Sequence, residues 1–195
     1  MEWSVETARS VADGVVLVVP PTSGEDVGRS SAAGDPWPGW GADRTVAGGE
    51  TRAASVRAGL AAVPDEAAVI VVHDAARPLA PVSLFEVVVD VVHSGRAAGA
   101  IPVLPVADTL KRVAGEVVQS TIDREGLVTV QTPQAFEAAA LRAAHASSGE
   151  ATDDAGLLEL LGATVRTVPG DIRNVKITRP EDLAVAERLL DGAGR

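Results

Sequence analysis

Residues 67–80 read "AAVIVVHDAARPLA", and this stretch decides the fold. Residues 69–72 form a short continuous run of valine and isoleucine, the pattern of a strand covered on both faces. The run stops at His73 and Asp74, with Arg77 and Pro78 close behind. In open parallel sheets, ligands sit beyond the carboxyl ends of the strands. An acid and a base three residues apart at such an end, with a proline fixing the local backbone, mark a candidate site. Taken alone, the pair reads equally well as a structural salt bridge in a loop.

The neighbouring segments supply the context. "DGVVLVVPP" (13–21) is another β-branched run, and "GAIPVLPV" (99–106) a third strand. Between them, "TRAASVRAGLAAV" (51–63) places Val56, Leu60 and Val63 on one helical face. "PVSLFEVVVDVVHSG" (81–95) reads as a helix with Ser83 as its cap and Gly95 as its stop. "EAAALRAAHAS" (137–147), "DDAGLLELLGA" (153–163) and "EDLAVAERLLDG" (181–192) are helical, while "TVRTVPG" (164–170) and "NVKITRP" (174–180) read as short strands. Strands separated by helices predict an α/β fold, Rossmann-like, with a mainly parallel sheet flanked by helices. One domain spanning 1–195 is expected. The Gly-, Pro- and Ser-rich segment 23–44, which holds Trp37 and Trp40, reads as a loop. Residues 108–131 interrupt the alternation with extended pieces that turn at "AGE" and "REG". They predict an inserted β-hairpin arm whose exposed edges suit a second subunit, hence a homodimer.

Composition narrows the function. The formal net charge of −10 argues against a nucleic-acid or anionic-membrane binder. No apolar run approaches the roughly 20 residues of a membrane span, and "MEWSVETARS" has no secretory pattern. With no cysteine there is no disulfide framework and no thiolate metal site. The expectation is a cytoplasmic protein. An anionic small substrate would need a local cluster of cations, and the strand ends offer one. Lys111 and Arg112 follow Asp108 and Thr109, Arg124 follows Asp123, and Thr132 comes next. Arg173, Asn174, Lys176, Thr178 and Arg179 lie together near the end of the chain. Cations and hydroxyls at successive strand ends are what phosphate recognition requires. Asp74 could hold a divalent cation or a sugar hydroxyl. His73 reads as packed or hydrogen-bonded, and Asp153 and Asp154 as acids at a helix N-terminus.

Several motifs in a fixed order, "AGGETRAASVRAGL", "VVHDAARPL", "DTLKRV", "STIDREGLVTVQTPQAF", "ATDDA" and "VPGDIRNVKITRPEDLAVAE", resemble the 2-C-methyl-D-erythritol 4-phosphate cytidylyltransferases. These belong to the nucleotide-diphospho-sugar transferase type of fold. The resemblance runs from about residue 14 to residue 190 and implies an enzyme of non-mevalonate isoprenoid synthesis. It implies that the phosphate of methylerythritol phosphate attacks the α-phosphorus of CTP, releasing pyrophosphate. On this resemblance Lys176 and Arg124 are the catalytic cations that position the sugar phosphate. Asp74 and Arg77 hold the sugar hydroxyls with Thr132 beside them, and Arg124 and Thr109 act across a dimer. Gly49, Arg52 and Ser55 lie on the nucleotide side, and magnesium accompanies the triphosphate.

The family's opening strand and its glycine-rich triphosphate loop, which carries an arginine and is followed by a lysine, have no counterpart among these residues. "MEWSVETARSVA" resembles the tail of the helix that should follow them. The expectation is a chain short of one strand–loop–helix unit and a poor catalyst by itself, since each lost charge-stabilising donor costs about 10²–10³ in rate. Two alternatives stay open. One is a cytidylyltransferase for a pentitol phosphate such as ribitol 5-phosphate. The other is a non-catalytic sugar-phosphate or nucleotide-binding paralogue.

Overall fold

The computed structural model describes residues 1–21, 41–147 and 151–191. Residues 23–40 of the expected loop, with Trp37 and Trp40, lie outside the described residues. Helix α1 (Glu2–Arg9) leads into β1 (Val16–Val19), and β2 (Arg44–Ala47) pairs with it in parallel. The second strand of this pair went unforeseen, because "RTVA" has one β-branched pair and no alternation. Helix α2 (Arg52–Ala62) begins where the Thr51 side chain accepts the Ala54 N–H, a normal hydroxyl cap.

The central sheet starts with β3 (Val69–Val72). Helix α3 (Val82–His93), β4 (Gly99–Pro105), the hairpin β5 (Leu110–Ala114) and β6 (Val117–Ile122), β7 (Val128–Val130) and β8 (Gln134–Glu137) follow. Helices α4 (Ala138–Ala146) and α5 (Asp154–Leu160), strand β9 (Val165–Pro169) and helix α6 (Pro180–Asp191) complete the chain. Strands β3 and β4 each run antiparallel to β8, so they point the same way, and β9 runs parallel to β4. Strands β3, β4 and β9 are therefore co-directional, with α3 between the first two as expected of an α/β fold, whereas β8 runs against β9 although α4 and α5 separate them. The antiparallel β8 lies between β3 and β4, and β7 continues antiparallel along β4. In the described residues β1 shares a ladder only with β2, and β3 only with β8.

Alternation along the strands feeds two cores. Ile70, Ile101 and Phe136 face Leu60, Leu141, Leu157 and Leu158 of α2, α4 and α5. Ala100, Ala135 and Val168 face Val88, Val91 and Val92 of α3. A period of two puts successive side chains on opposite faces, so one set of strands serves helices on both sides.

Three local expectations are corrected. Ser83 does not cap α3: the N-cap is Pro81, with no side-chain bond, because the fixed φ of proline already sets the helix entry. Gly95 does stop that helix, with φ +69°. "NVKITRP" forms no strand, because its backbone is spent on loop contacts: the Ile177 N–H donates to the Ala76 carbonyl, 2.8 Å away. Within 108–131, β5 and β6 pair only with each other, whereas 128–130 joins the central sheet through β4.

Candidate functional site

The end of β3 and the loop after β9 are sewn together by side chains. Asn174, fully buried, donates through Nδ2 to the Thr132 carbonyl at 2.8 Å. The Asn174 carbonyl accepts Nη1 of Arg77 at 2.7 Å and Nε2 of Gln131 at 3.3 Å. Gln131 also donates to the Asp171 carbonyl and accepts the Asp171 N–H. The loop that bears Lys176 is thus fixed to the loop that bears Asp74 before any ligand arrives. The result is an acid between two bases: Lys176 Nζ lies 2.8 Å and Arg77 Nε 3.8 Å from Asp74 Oδ2.

Burial sorts these residues by role. The Lys176 side chain is 43% exposed, and its amine has three donors, so it can meet a ligand while touching Asp74. The Arg77 side chain is only 12% exposed. Burial lowers its pKa, against the attraction of Asp74. Arg77 braces the two loops, with Nε buried and without a hydrogen-bond partner. Thr132 is buried as well. Its hydroxyl oxygen accepts the Asp74 N–H at 3.0 Å and lies 3.2 Å from His73 Nδ1. His73 Nε2 lies 3.2 Å from the Arg77 carbonyl. A carbonyl only accepts, so Nε2 carries the proton, Nδ1 accepts from the Thr132 hydroxyl, and the ring is neutral. Its pKa is lowered to about 4, chiefly by burial. His73 packs tilted against Phe85, with ring centroids 5.0 Å apart.

The α2 entrance forms a second cluster. Ser55 Oγ accepts the Gly49 N–H at 3.2 Å and lies 3.0 Å from the Thr51 carbonyl. Arg52 Nη2 meets Asp154 Oδ2 at 2.7 Å. Burial works against the Arg52 charge, but the bond and attraction to Asp154, with Asp74 and Asp153 adding, raise its pKa.

The arm residues stand apart. Arg124 donates from Nη1 to the Val106 and Ala107 carbonyls, and Thr109 is exposed. In the hydrogen bonds and ion pairs of the described residues, neither meets Asp74, Arg77 or Lys176. An open groove of about 1030 Å³ lies between the ends of β4, β7 and β9 and the turn holding Arg124. Arg173 tethers α6 through the Leu189 carbonyl. Asp182 accepts the Thr178 and Arg179 N–H groups, which lower its pKa. These residues anchor the loop. Asp74 does not suit a divalent cation: its carboxylate already lies between two cations. Among the described residues no group of three or more His, Cys, Asp and Glu is placed to hold a metal.

Sequence reasoning overlooked Gln131 and did not foresee the buried positions of Asn174, named with the cations near the end of the chain, and of Asp154. Gln131 and Asn174 carried no signal beyond their place in the motifs. Asp154 looked like a cap, but Asp153 caps α5 by accepting the Gly156 N–H, and Asp154 turns inward.

Known proteins resemble this chain in sequence and fold. A family model described as IspD: 2-C-methyl-D-erythritol 4-phosphate cytidylyltransferase matches residues 1–192. An enzyme of that name from Nocardia farcinica is 55% identical over 149 residues, 76% of this chain and 64% of the relative. A bifunctional IspD/IspF enzyme of Solidesulfovibrio magneticus is 50% identical over 143 residues, 72% of this chain and 36% of the relative. The chain thus spans less than two-thirds of the length of these curated relatives. The crystal structure of the cytidylyltransferase from Thermus thermophilus superposes with a TM-score of 0.80 at 38% identity, covering 97% of this chain and 88% of that one.

Proposed function

This chain belongs to the 2-C-methyl-D-erythritol 4-phosphate cytidylyltransferase family, and we propose that the protein transfers the cytidylyl group of CTP to methylerythritol phosphate. An oxygen of the sugar phosphate bonds to the α-phosphorus of CTP. The bond from that phosphorus to the bridging oxygen breaks, and pyrophosphate leaves with the electron pair. No side chain need form a covalent bond, so positioning and charge supply the catalysis.

The observation that carries this reading is the half-exposed Lys176 amine, held 2.8 Å from Asp74 by the loop that Asn174 and Arg77 lock in place. In the proposed complex the Lys176 ammonium receives the sugar phosphate with the donors that Asp74 leaves free. Asp74 accepts from the sugar hydroxyls, with Arg77 and Thr132 holding it in orientation. Gly49, Arg52 and Ser55 receive the nucleotide. Magnesium would enter with the triphosphate of CTP, whose charge it offsets. The poor fit of Asp74 leaves the ion without a ligand among these residues, and no step runs through it.

Arg124 and Thr109 would reach the site of a second copy, giving a homodimer. The support is twofold. Arg124 makes no bond to the Asp74–Lys176 cluster of its own chain. The hairpin also exposes Val113, Val117 and Val118, with Val117 at 68%, and exposed strand edges of this kind are commonly paired or covered. The protein would work in the cytoplasm, in isoprenoid precursor synthesis. Among the described residues no helix is long and apolar enough to cross a membrane.

The test is pyrophosphate release by the protein expressed from its complete reading frame, with CTP and either methylerythritol phosphate or ribitol 5-phosphate. Turnover with the first and not the second is expected. Preference for ribitol phosphate would reassign the substrate, and binding of both substrates without pyrophosphate would make the protein a binding module.

A further inference from the structure

Asp154 takes no part in the reaction proposed above, yet it is among the most buried acids of the fold. It is 1% exposed in the first turn of α5, and its two oxygens serve partners on two other helices. Oδ2 takes Nη2 of Arg52 on α2 at 2.7 Å, and Oδ1 lies 2.8 Å from Nε2 of His145 on α4. As a stabilising device this is a poor choice. Removing a carboxylate from water is expensive, and packed apolar residues often hold such a junction as well or better. His145 adds to the cost, because its Nδ1 is buried without a partner.

What the arrangement does supply is orientation. Of the three residues, Arg52 alone reaches solvent, with 38% of its side chain exposed. It does so beside the turn where Ser55 holds the Gly49 N–H. A free arginine side chain has much rotamer freedom to lose when a ligand binds. A carboxylate that is itself fixed by a buried imidazole removes that freedom in advance, and it engages only one face of the five-donor guanidinium. Asp154 stays ionised in this role. Burial raises its pKa, but the bonds from His145 and Arg52 outweigh that and lower it.

We propose that Asp154 is a positioning residue for the nucleotide, acting through Arg52 and backed by His145, so that a guanidinium is aimed at bound CTP from the α2 entrance. This rests on the reading of Gly49, Arg52 and Ser55 as the nucleotide side of the site.

The test pairs calorimetric titration with CTP and with sugar phosphate against phenylglyoxal labelling of Arg52, followed by peptide mass spectrometry. In the unaltered protein CTP shields Arg52 from the reagent. In Asp154→Asn, Arg52 reacts faster without ligand, and CTP binds on the order of tenfold more weakly. Sugar-phosphate affinity stays within about twofold, a split that a general loss of structure would not produce. In an Arg52→Gln background the same change costs no further CTP affinity. If CTP fails to shield Arg52 in the unaltered protein, the nucleotide-side reading falls and the proposal with it. If shielding is present but Asp154→Asn binds CTP normally, or the two losses add, the positioning role alone is overturned. Should the asparagine variant not fold, Asp154→Glu keeps the charge and moves it by one methylene. Weakened CTP binding with intact sugar-phosphate binding is then expected, and unchanged CTP affinity overturns the proposal.

Discussion

Replacing Lys176 by methionine separates the two things its amine can do. The substitution removes the nitrogen 2.8 Å from Asp74 Oδ2 and keeps most of the stem. With the lysine side chain 43% exposed, the ion pair is screened by solvent. Pairs of this kind contribute about 0–1 kcal/mol. Asp74 also keeps Arg77 and its backbone bond to Thr132, so the loop stays in place. The melting temperature should therefore fall by no more than about 3 °C for a chain of this size. Against a phosphate the same amine is a preorganised charge, and its loss should lower kcat/KM for the sugar phosphate by roughly 10²–10³. Pyrophosphate release at saturating CTP with varied sugar phosphate measures the second effect, and thermal unfolding the first. A variant retaining kcat/KM within about threefold, or one losing more than about 10 °C of thermal stability, refutes the reasoning. In the first case Lys176 does not grip phosphate; in the second it is a structural residue.

Three further outcomes are expected. His73 should titrate in the folded protein near its lowered pKa of about 4, against an ordinary value of 6.5. The unfolded chain then binds that proton first, so stability is full above about pH 6.5 and falls by roughly 3 kcal/mol as the pH drops to about 4. NMR titration of the ring checks this, and a normal pKa would refute the assigned neutral pairing. Gly170→Ala would put a Cβ 2.6 Å from Gln131 Oε1 and 3.0 Å from the Val103 carbonyl oxygen. It should destabilise by about 1–3 kcal/mol in denaturant unfolding, and an unchanged midpoint would show that the Gln131 link is dispensable. If two copies share each site, mixing inactive Lys176→Met and Arg124→Ala chains with subunit exchange should restore about a quarter of wild-type activity, since half the dimers carry one intact site. No recovery despite exchange would place both residues in one subunit.

Residue pattern succeeded where the cause was local. The β-branched runs at 16–19 and 69–72 and the apolar helical faces of 52–62 and 82–93 are strands and helices in the structure. Each is set by side-chain periodicity within a few residues. Where backbone partners come from afar, the same reasoning slipped. "NVKITRP" has strand-like residues, but its Ile177 donor is taken by the Asp74 loop. The arm is expected to end at 131, and just beyond it "QAFE" forms β8 and fills the space between β3 and β4. The motifs alone assembled Asp74, Arg77, Thr132 and Lys176, because their order along the chain was recognisable. They did not reveal that Thr132 is buried and bonded to His73, or that Arg77 acts as a brace.

By itself, then, the sequence determined the α/β class, the family and the short list of cations proposed to meet a phosphate. The class and the cations follow from periodicity and residue type, and the family from the order of recognisable motifs, all of them properties of the linear chain. Only the tertiary structure decided which charges are exposed to a ligand and which are consumed in holding the fold. Lys176 differs from Arg77, and Arg52 from Asp154, by burial and by partners up to 102 residues away. Desolvation and hydrogen-bond geometry depend on what packs around a group in space, and no spacing along the chain encodes that directly.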